Sequence, residues 1–236
     1  MRRIGLLGGM SWESTAEYYR LINQEVAARL GGLHSARVIL ASVDFAEVEA
    51  MQVAGDWASA GKLLAREAAL LEAGGAELLL ICTNTMHKVA DEVQAAVDIP
   101  LLHLAEATAA AVREAGLSRV GLLGTAFTME QDFYTGRLAQ HGLDVMVPAA
   151  GDRADVHRVI YDELCMGVVR EQSRRRYLEV VDALVERGAE GVILGCTEIE
   201  LLLDPDDPGT QVPVFPTTRI HALAAVDAAL GTTQGS

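Results

Sequence analysis

The chain has 236 residues, 50% of them hydrophobic and 22% charged, which suits one large or two small globular α/β domains. Its formal net charge of -14 argues against a nucleic-acid partner, because phosphate binding needs a basic face, and it leaves any acidic ligand dependent on local donors. No apolar run reaches membrane-spanning length, so no membrane partner is expected.

The opening Met1-Arg2-Arg3-Ile4-Gly5 begins a strand at once, which predicts no signal peptide. Residues 4–7 read as that strand and Gly8-Gly9 as a tight turn. Ser14-Thr15-Ala16-Glu17 has the capping-box pattern, and 18–30 continue as an amphipathic helix ended by Gly31-Gly32. A strand over 37–42 follows, then a helix over 56–73 stopped by Gly74-Gly75, then an apolar strand over 77–81 running into Cys82. Next come a helix over 88–96, a strand over 99–104 with Pro100 near its start, and a helix over 105–115. This β-α alternation predicts parallel strands with helices on both faces.

The opening recurs at Val120-Gly121-Leu122-Leu123-Gly124-Thr125, which matches Ile4-Gly5-Leu6-Leu7-Gly8-Gly9. The strand over 191–196 matches that over 77–82, and Val212-Pro213-Val214-Phe215 matches Ile99-Pro100-Leu101-Leu102. Three pairs in one order, shifted by about 110 residues, argue for duplication. A duplicated unit predicts two lobes facing each other, 1–103 plus 216–236 and 104–215. Within the second, helices are expected over 152–167 and 174–187, with a solvated charged stretch over 171–176. A surface turn is expected over 203–210.

Three cysteines, Cys82, Cys165 and Cys196, form no metal-type CxxC pair, so reduced thiols, a cytoplasmic setting and no metal are expected. Cys82 and Cys196 stand at ends of predicted strands, where ligands bind in open α/β folds. Gly195 removes bulk beside Cys196 and would let a ligand approach. A helix starting at about Thr197 or Glu198 would lower the thiol's pKa toward neutrality, making a base or nucleophile. Cys165 lies in a helical run and reads as packing. In the first lobe the residues leave two alignments open, since Cys82 and Thr83 point to opposite faces of a straight strand. Asn84, Thr85, Thr125 and Thr197 are short donors suited to a carboxylate, or to capping helices. His87 and Lys88 could orient a thiol or cap. The full dinucleotide glycine pattern is absent, which argues against NAD. A pyridoxal-phosphate enzyme needs a Schiff-base lysine; Lys62 and Lys88 are the lysines present, and Lys62 sits in an ordinary helical run.

Several stretches together resemble the aspartate/glutamate racemase family, over nearly the whole chain. They are Gly5-Leu6-Leu7-Gly8-Gly9-Met10-Ser11-Trp12-Glu13-Ser14, Cys82-Thr83-Asn84-Thr85-Met86-His87, Gly121-Leu122-Leu123-Gly124-Thr125 and Gly195-Cys196-Thr197-Glu198-Ile199. The Cys-Thr-Asn-Thr order resembles the L-aspartate/glutamate-specific type within it. The resemblance implies two similar flavodoxin-like parallel-sheet domains in a pseudo-twofold relation, an active site in the cleft between them, no cofactor and a homodimer. It implies Cys196 and Thr83 as the acid/base pair on either side of an amino acid's α-carbon. It also implies Met10, Gln52, Asn84, Thr85, Thr125, Thr197 and Glu198 as substrate contacts. Two departures stand out: Pro216 precedes Thr217-Thr218 where the family has aspartate, and no lysine stands near Cys165-Met166, where some members meet a side-chain carboxylate.

The expected activity is therefore interconversion of L- and D-aspartate or glutamate by α-proton removal and return. The competing expectations are a racemase for another amino acid, a superfamily isomerase or decarboxylase of a small dicarboxylate, and a binding protein without chemistry.

Overall fold

The computed structural model describes residues 1–203 and 209–231. Most of the expected surface turn, residues 204–208, lies outside the described residues. The chain divides into two compact units, Met1–Leu104 with the segment from His221 onward, and Ala105–Ile220. Both are α/β with all-parallel sheets.

In the first unit β1 (Ile4–Gly8) lies between β2 (Val38–Ser42) and β3 (Leu78–Ile81). The strand expected over 99–104 shrinks to one parallel bridge, Leu101 to Leu79. Pro100 has no N–H to give to a ladder, and the helix α5 (Leu104–Glu114) takes over three residues later. Alternation sends Leu78, Leu80 and Cys82 to one core and Leu79 and Ile81 to the other. Tyr18, Ile22 and Val26 of α1 (Trp12–Leu30) cover the first core, with Ala222, Ala225 and Val226 of α10 (Thr217–Leu230). Ala60, Leu64, Ala68 and Leu71 of α3 (Trp57–Ala73) cover the second. Burial on both faces explains why β1 and β3 read as continuous apolar runs.

Three features differ from expectation. The N-cap of α1 is Ser11, whose hydroxyl accepts from the Ser14 amide, so the helix starts a turn before the expected capping box. A helix α2 (Phe45–Ala54) fills what read as connection; Asp44 caps it by accepting from the Ala46 amide. The expected 88–96 helix is a 3-10 turn, Thr85–Val89, followed by the short α4 (Ala90–Gln94).

The second unit orders its strands β5 (Asp144–Met146), β4 (Arg119–Gly124), β6 (Gly191–Gly195), β7 (Val214–Pro216). This is the first unit's order with Leu101 counted as a fourth position, as duplication requires. Helices α6 (Ala126–Glu130) and α7 (Asp132–Gln140) follow β4, and α8 (Ala150–Asp162) and α9 (Glu171–Glu186) precede β6. The expected 152–167 helix stops at Asp162, and a 3-10 turn, Leu164–Met166, follows. On that turn Cys165 is exposed, not packed as expected. Residues 171–176 are the first turns of α9. Among the described residues no helix is long and apolar enough to cross a membrane.

Candidate active site

In the first unit the carboxyl ends of β1 and β3 lie side by side, Leu7 pairing with Ile81. The turn out of β1 needs Gly9, which has φ +92 and where a Cβ would meet the Val43 carbonyl oxygen at 2.2 Å. The Gly9 amide donates to the Thr15 hydroxyl at 2.8 Å, and the Ser14 hydroxyl donates to the Cys82 carbonyl at 3.2 Å. These two bonds tie the start of α1 to the turn after β1 and to the end of β3. Met10, Gln52, Asn84 and Thr85 are buried at this end of the sheet. Gln52, on α2, sends its amide to the Met86 sulfur at 3.0 Å, and Met86 shares a core with Met10.

Cys82 and Thr83 have separate fates. Cys82 is wholly buried among Ile4, Leu6, Tyr18 and Leu80, and that burial pushes its thiol well up. Thr83, the next residue, keeps partial access to solvent. Cys82 is therefore a small core residue. Of the two, Thr83 is the one that reaches the surface. Lys88 lies with its ammonium 4.0 Å over the Trp57 ring, and the His87 ring bonds the Thr83 carbonyl at 2.8 Å.

In the second unit β4 and β6 end on the paired glycines Gly124 and Gly195, so Thr125 and Cys196 follow at adjacent strand ends. Packing accounts for Gly195: a Cβ there would stand 3.0 Å from the Leu123 carbonyl oxygen and 3.1 Å from Leu122 Cδ1. That replaces the expected role of making room for a ligand. Thr125 caps α6 through the Thr128 amide, and His157 Nδ1 accepts the Ala126 amide at 3.2 Å beside it. The Thr197 hydroxyl is 2.9 Å from that of Thr218, and the Thr217 hydroxyl donates to the Leu194 carbonyl at 2.8 Å. Pro216 ends β7 opposite Leu194 in the register, and Thr217 and Thr218 begin the helix after it. Thr218 and His157 thus join the strand-end cluster without having been singled out in the sequence. Their signal was weak, since each belongs to an element far along the chain from the residue it supports.

Cys196 itself departs from expectation. No α-helix follows it; Thr197–Leu201 is a 3-10 turn, too short to lend a helix dipole. The half-buried thiol donates to a Glu198 carboxylate oxygen at 2.9 Å. Burial first, then the adjacent Glu198 charge, push the Cys196 pKa well above its ordinary value, the reverse of the expected fall. Cys196 therefore rests as a thiol hydrogen-bonded to the Glu198 carboxylate. Glu198→Gln removes that negative charge and is expected to lower the pH midpoint of Cys196 alkylation. The measurement is iodoacetamide reactivity against pH in a Cys165→Ser background; an unmoved or raised midpoint would contradict the Glu198 account.

The sequence pattern of the Asp/Glu/Hydantoin racemase family matches residues 7–225. The chain belongs to this family. A crystal structure of a candidate Asp/Glu racemase from Yersinia pestis is 54% identical, with a TM-score of 0.92 over 98% of this chain and 100% of that one. An aspartate racemase homologue from Pyrococcus horikoshii is 33% identical, with a TM-score of 0.85 over 98% and 100%. A broad-specificity amino-acid racemase from Bacillus subtilis is 22% identical over 163 residues, 66% of each chain. Membership makes the protein an isomerase-type enzyme of the racemase family. Among the described residues no cluster of His, Cys, Asp and Glu has the arrangement of a metal site.

Proposed function

We propose that the protein racemises aspartate or glutamate by removing the α-proton and returning one to the opposite face, using its own side chains. On this proposal Cys196 serves the face from which the L-enantiomer loses its proton, and Thr83 serves the other. The observation that carries the reading is the Cys196 thiol on the Glu198 carboxylate at 2.9 Å, at the carboxyl end of β6. An α-proton is a very weak acid, so its removal needs a strong base held within reach of it. Transfer of the thiol proton to Glu198 creates a thiolate without any change in the net charge of the pair. The substrate carboxylate gains enolate character as the α-proton leaves. The hydroxyls of Thr85 and Thr197 are the proposed donors that stabilise it.

Thr83 makes the pair asymmetric. A threonine hydroxyl is a poor acid and a worse base, so proton exchange on its side is slow. Racemisation has an equilibrium constant of one, so a weak Thr83 limits full turnover in both directions. Exchange of the L-form without inversion remains fast. The test is α-deuterium uptake from heavy water into L- and D-aspartate: uptake into L is expected to exceed uptake into D, and equal rates contradict the asymmetric pair. Thr83→Cys is expected to raise the D-side rate by about 10²-fold or more, the scale of a well-matched general acid–base group.

A second reading, racemisation of another amino acid, is favoured by the absence of lysine at Cys165-Met166. The broad specificity of the Bacillus subtilis relative agrees with it. Screening the same exchange over all L- and D-amino acids decides between the two, the fastest exchanging pair naming the substrate.

A further inference from the structure

Thr83 lies in a stretch that neither strand nor helix holds: β3 ends at Ile81 and the 3-10 turn begins at Thr85. Its main chain is held instead by one side chain. The His87 ring accepts the Leu104 amide at Nε2, 3.2 Å away, and its Nδ1 lies 2.8 Å from the Thr83 carbonyl oxygen. An amide can only donate and a carbonyl can only accept. Both contacts are met together by the neutral ring with its proton on Nδ1, donating to Thr83. The His87 amide also donates to the Asn84 carbonyl at 3.1 Å. One residue thus fixes two successive carbonyls and anchors them to Leu104, the first residue of α5.

The ring has no freedom to turn away. His87 is 3% exposed and packs edge-on against His103 and His221, with centroids 4.7 Å and 5.8 Å away. His221 is fixed in turn, its Nε2 at 2.8 Å from the Leu102 carbonyl oxygen and its Nδ1 at 2.9 Å from the Tyr18 hydroxyl. Three histidines and a tyrosine therefore form a rigid backing to the segment that carries Thr83.

We propose that His87 is the positioning residue for Thr83: by holding the Thr83 carbonyl it aims the neighbouring hydroxyl, and it touches no substrate itself. The inference rests on the racemase reading above, in which Thr83 serves one face of the α-carbon. It therefore predicts a defect on one side only. The readout is the ratio of D-side to L-side α-deuterium uptake with aspartate, which does not depend on how much of a preparation is folded. In His87→Leu the ratio is expected to fall about tenfold, the scale of one lost hydrogen bond to an ordering group. In His87→Asn, whose amide can still donate to the Thr83 carbonyl, it is expected to return to within about threefold of wild type, because that bond is kept. An unchanged ratio in His87→Leu, whether both rates fall or neither does, overturns the proposal.

Thr83→Ala separates the two layers of the argument. Loss of D-side uptake in Thr83→Ala, with an unchanged ratio in His87→Leu, removes the His87 assignment alone. D-side uptake that survives Thr83→Ala removes the Thr83 reading, and the His87 assignment with it.

Discussion

Replacing Cys196 with alanine is expected to reduce α-proton exchange of the L-enantiomer by about 10²- to 10⁴-fold, the contribution of a positioned acid or base. Complete racemisation should fall at least as far, because every turnover uses the thiol once as base or as acid. Folding should hardly change. The side chain is half-buried at the end of β6, and Glu198 is left partly exposed, so its carboxylate regains water when the thiol is gone. The stability cost of an exposed polar contact of this kind is about 1 kcal/mol or less. Enantiomer-resolved deuterium uptake and thermal unfolding, measured on the same preparation, separate the two effects. Retained L-side exchange at an unchanged melting temperature would remove Cys196 from the chemistry and leave it a structural thiol.

The thiol's proton state was the feature least legible in the sequence. The pattern Gly195-Cys196-Thr197-Glu198 marks a strand end and a turn, but not which way Glu198 points. The pKa direction is set first by burial of the thiol and then by the Glu198 carboxylate oxygen at 2.9 Å, and neither is written in the local pattern. The strands β1, β3, β4 and β6 were legible because both of their faces are buried, which leaves runs such as Leu78–Ile81 uniformly apolar. Helix α2 was not, since it buries only Val48 and Gln52 and so carries little apolar periodicity. Its signal was Asp44 with Glu47 three residues on, a cap pattern without the amphipathic run that usually confirms it.

The cysteines show the same division between local pattern and tertiary placement. Alternation alone puts Cys82 and Thr83 on opposite faces, but the closing of the Cys82 face comes from α1 and α10, whose residues lie near the two ends of the chain. Cys165 read as packing because Ile160 to Met166 looks like one helix turn after another. The helix instead stops at Asp162, and the following 3-10 turn closes on Gly167 with φ +70. There the thiol is exposed.

Acidification is expected to destabilise the first unit through a residue outside the chemistry. His221 is fully buried, and burial first, then the neighbouring His87, lower its pKa from 6.5 to about 3. The folded state therefore keeps the ring neutral in a pH range where the unfolded chain protonates it. Stability from this ring is complete above pH 6.5 and is lost as pH falls toward 3, since the unfolded state binds the extra proton in between. At about 1.4 kcal/mol per unit, the loss is about 3 kcal/mol between pH 6.5 and pH 4, a large part of a typical domain's stability. The bonds explain why the protein does not simply accept the charge. Nε2 already donates to Leu102, so protonation must occur at Nδ1, where the Tyr18 hydroxyl now donates. A proton there turns the Tyr18 hydroxyl from donor to acceptor and places a charge inside an apolar core. Urea unfolding of wild type and His221→Gln at pH 8, 6, 5 and 4 reads the effect. The variant is expected to be less stable at pH 8, because the Tyr18 partner is altered, yet to lose less stability on acidification. Parallel acid losses in the two proteins would assign the destabilisation to other groups.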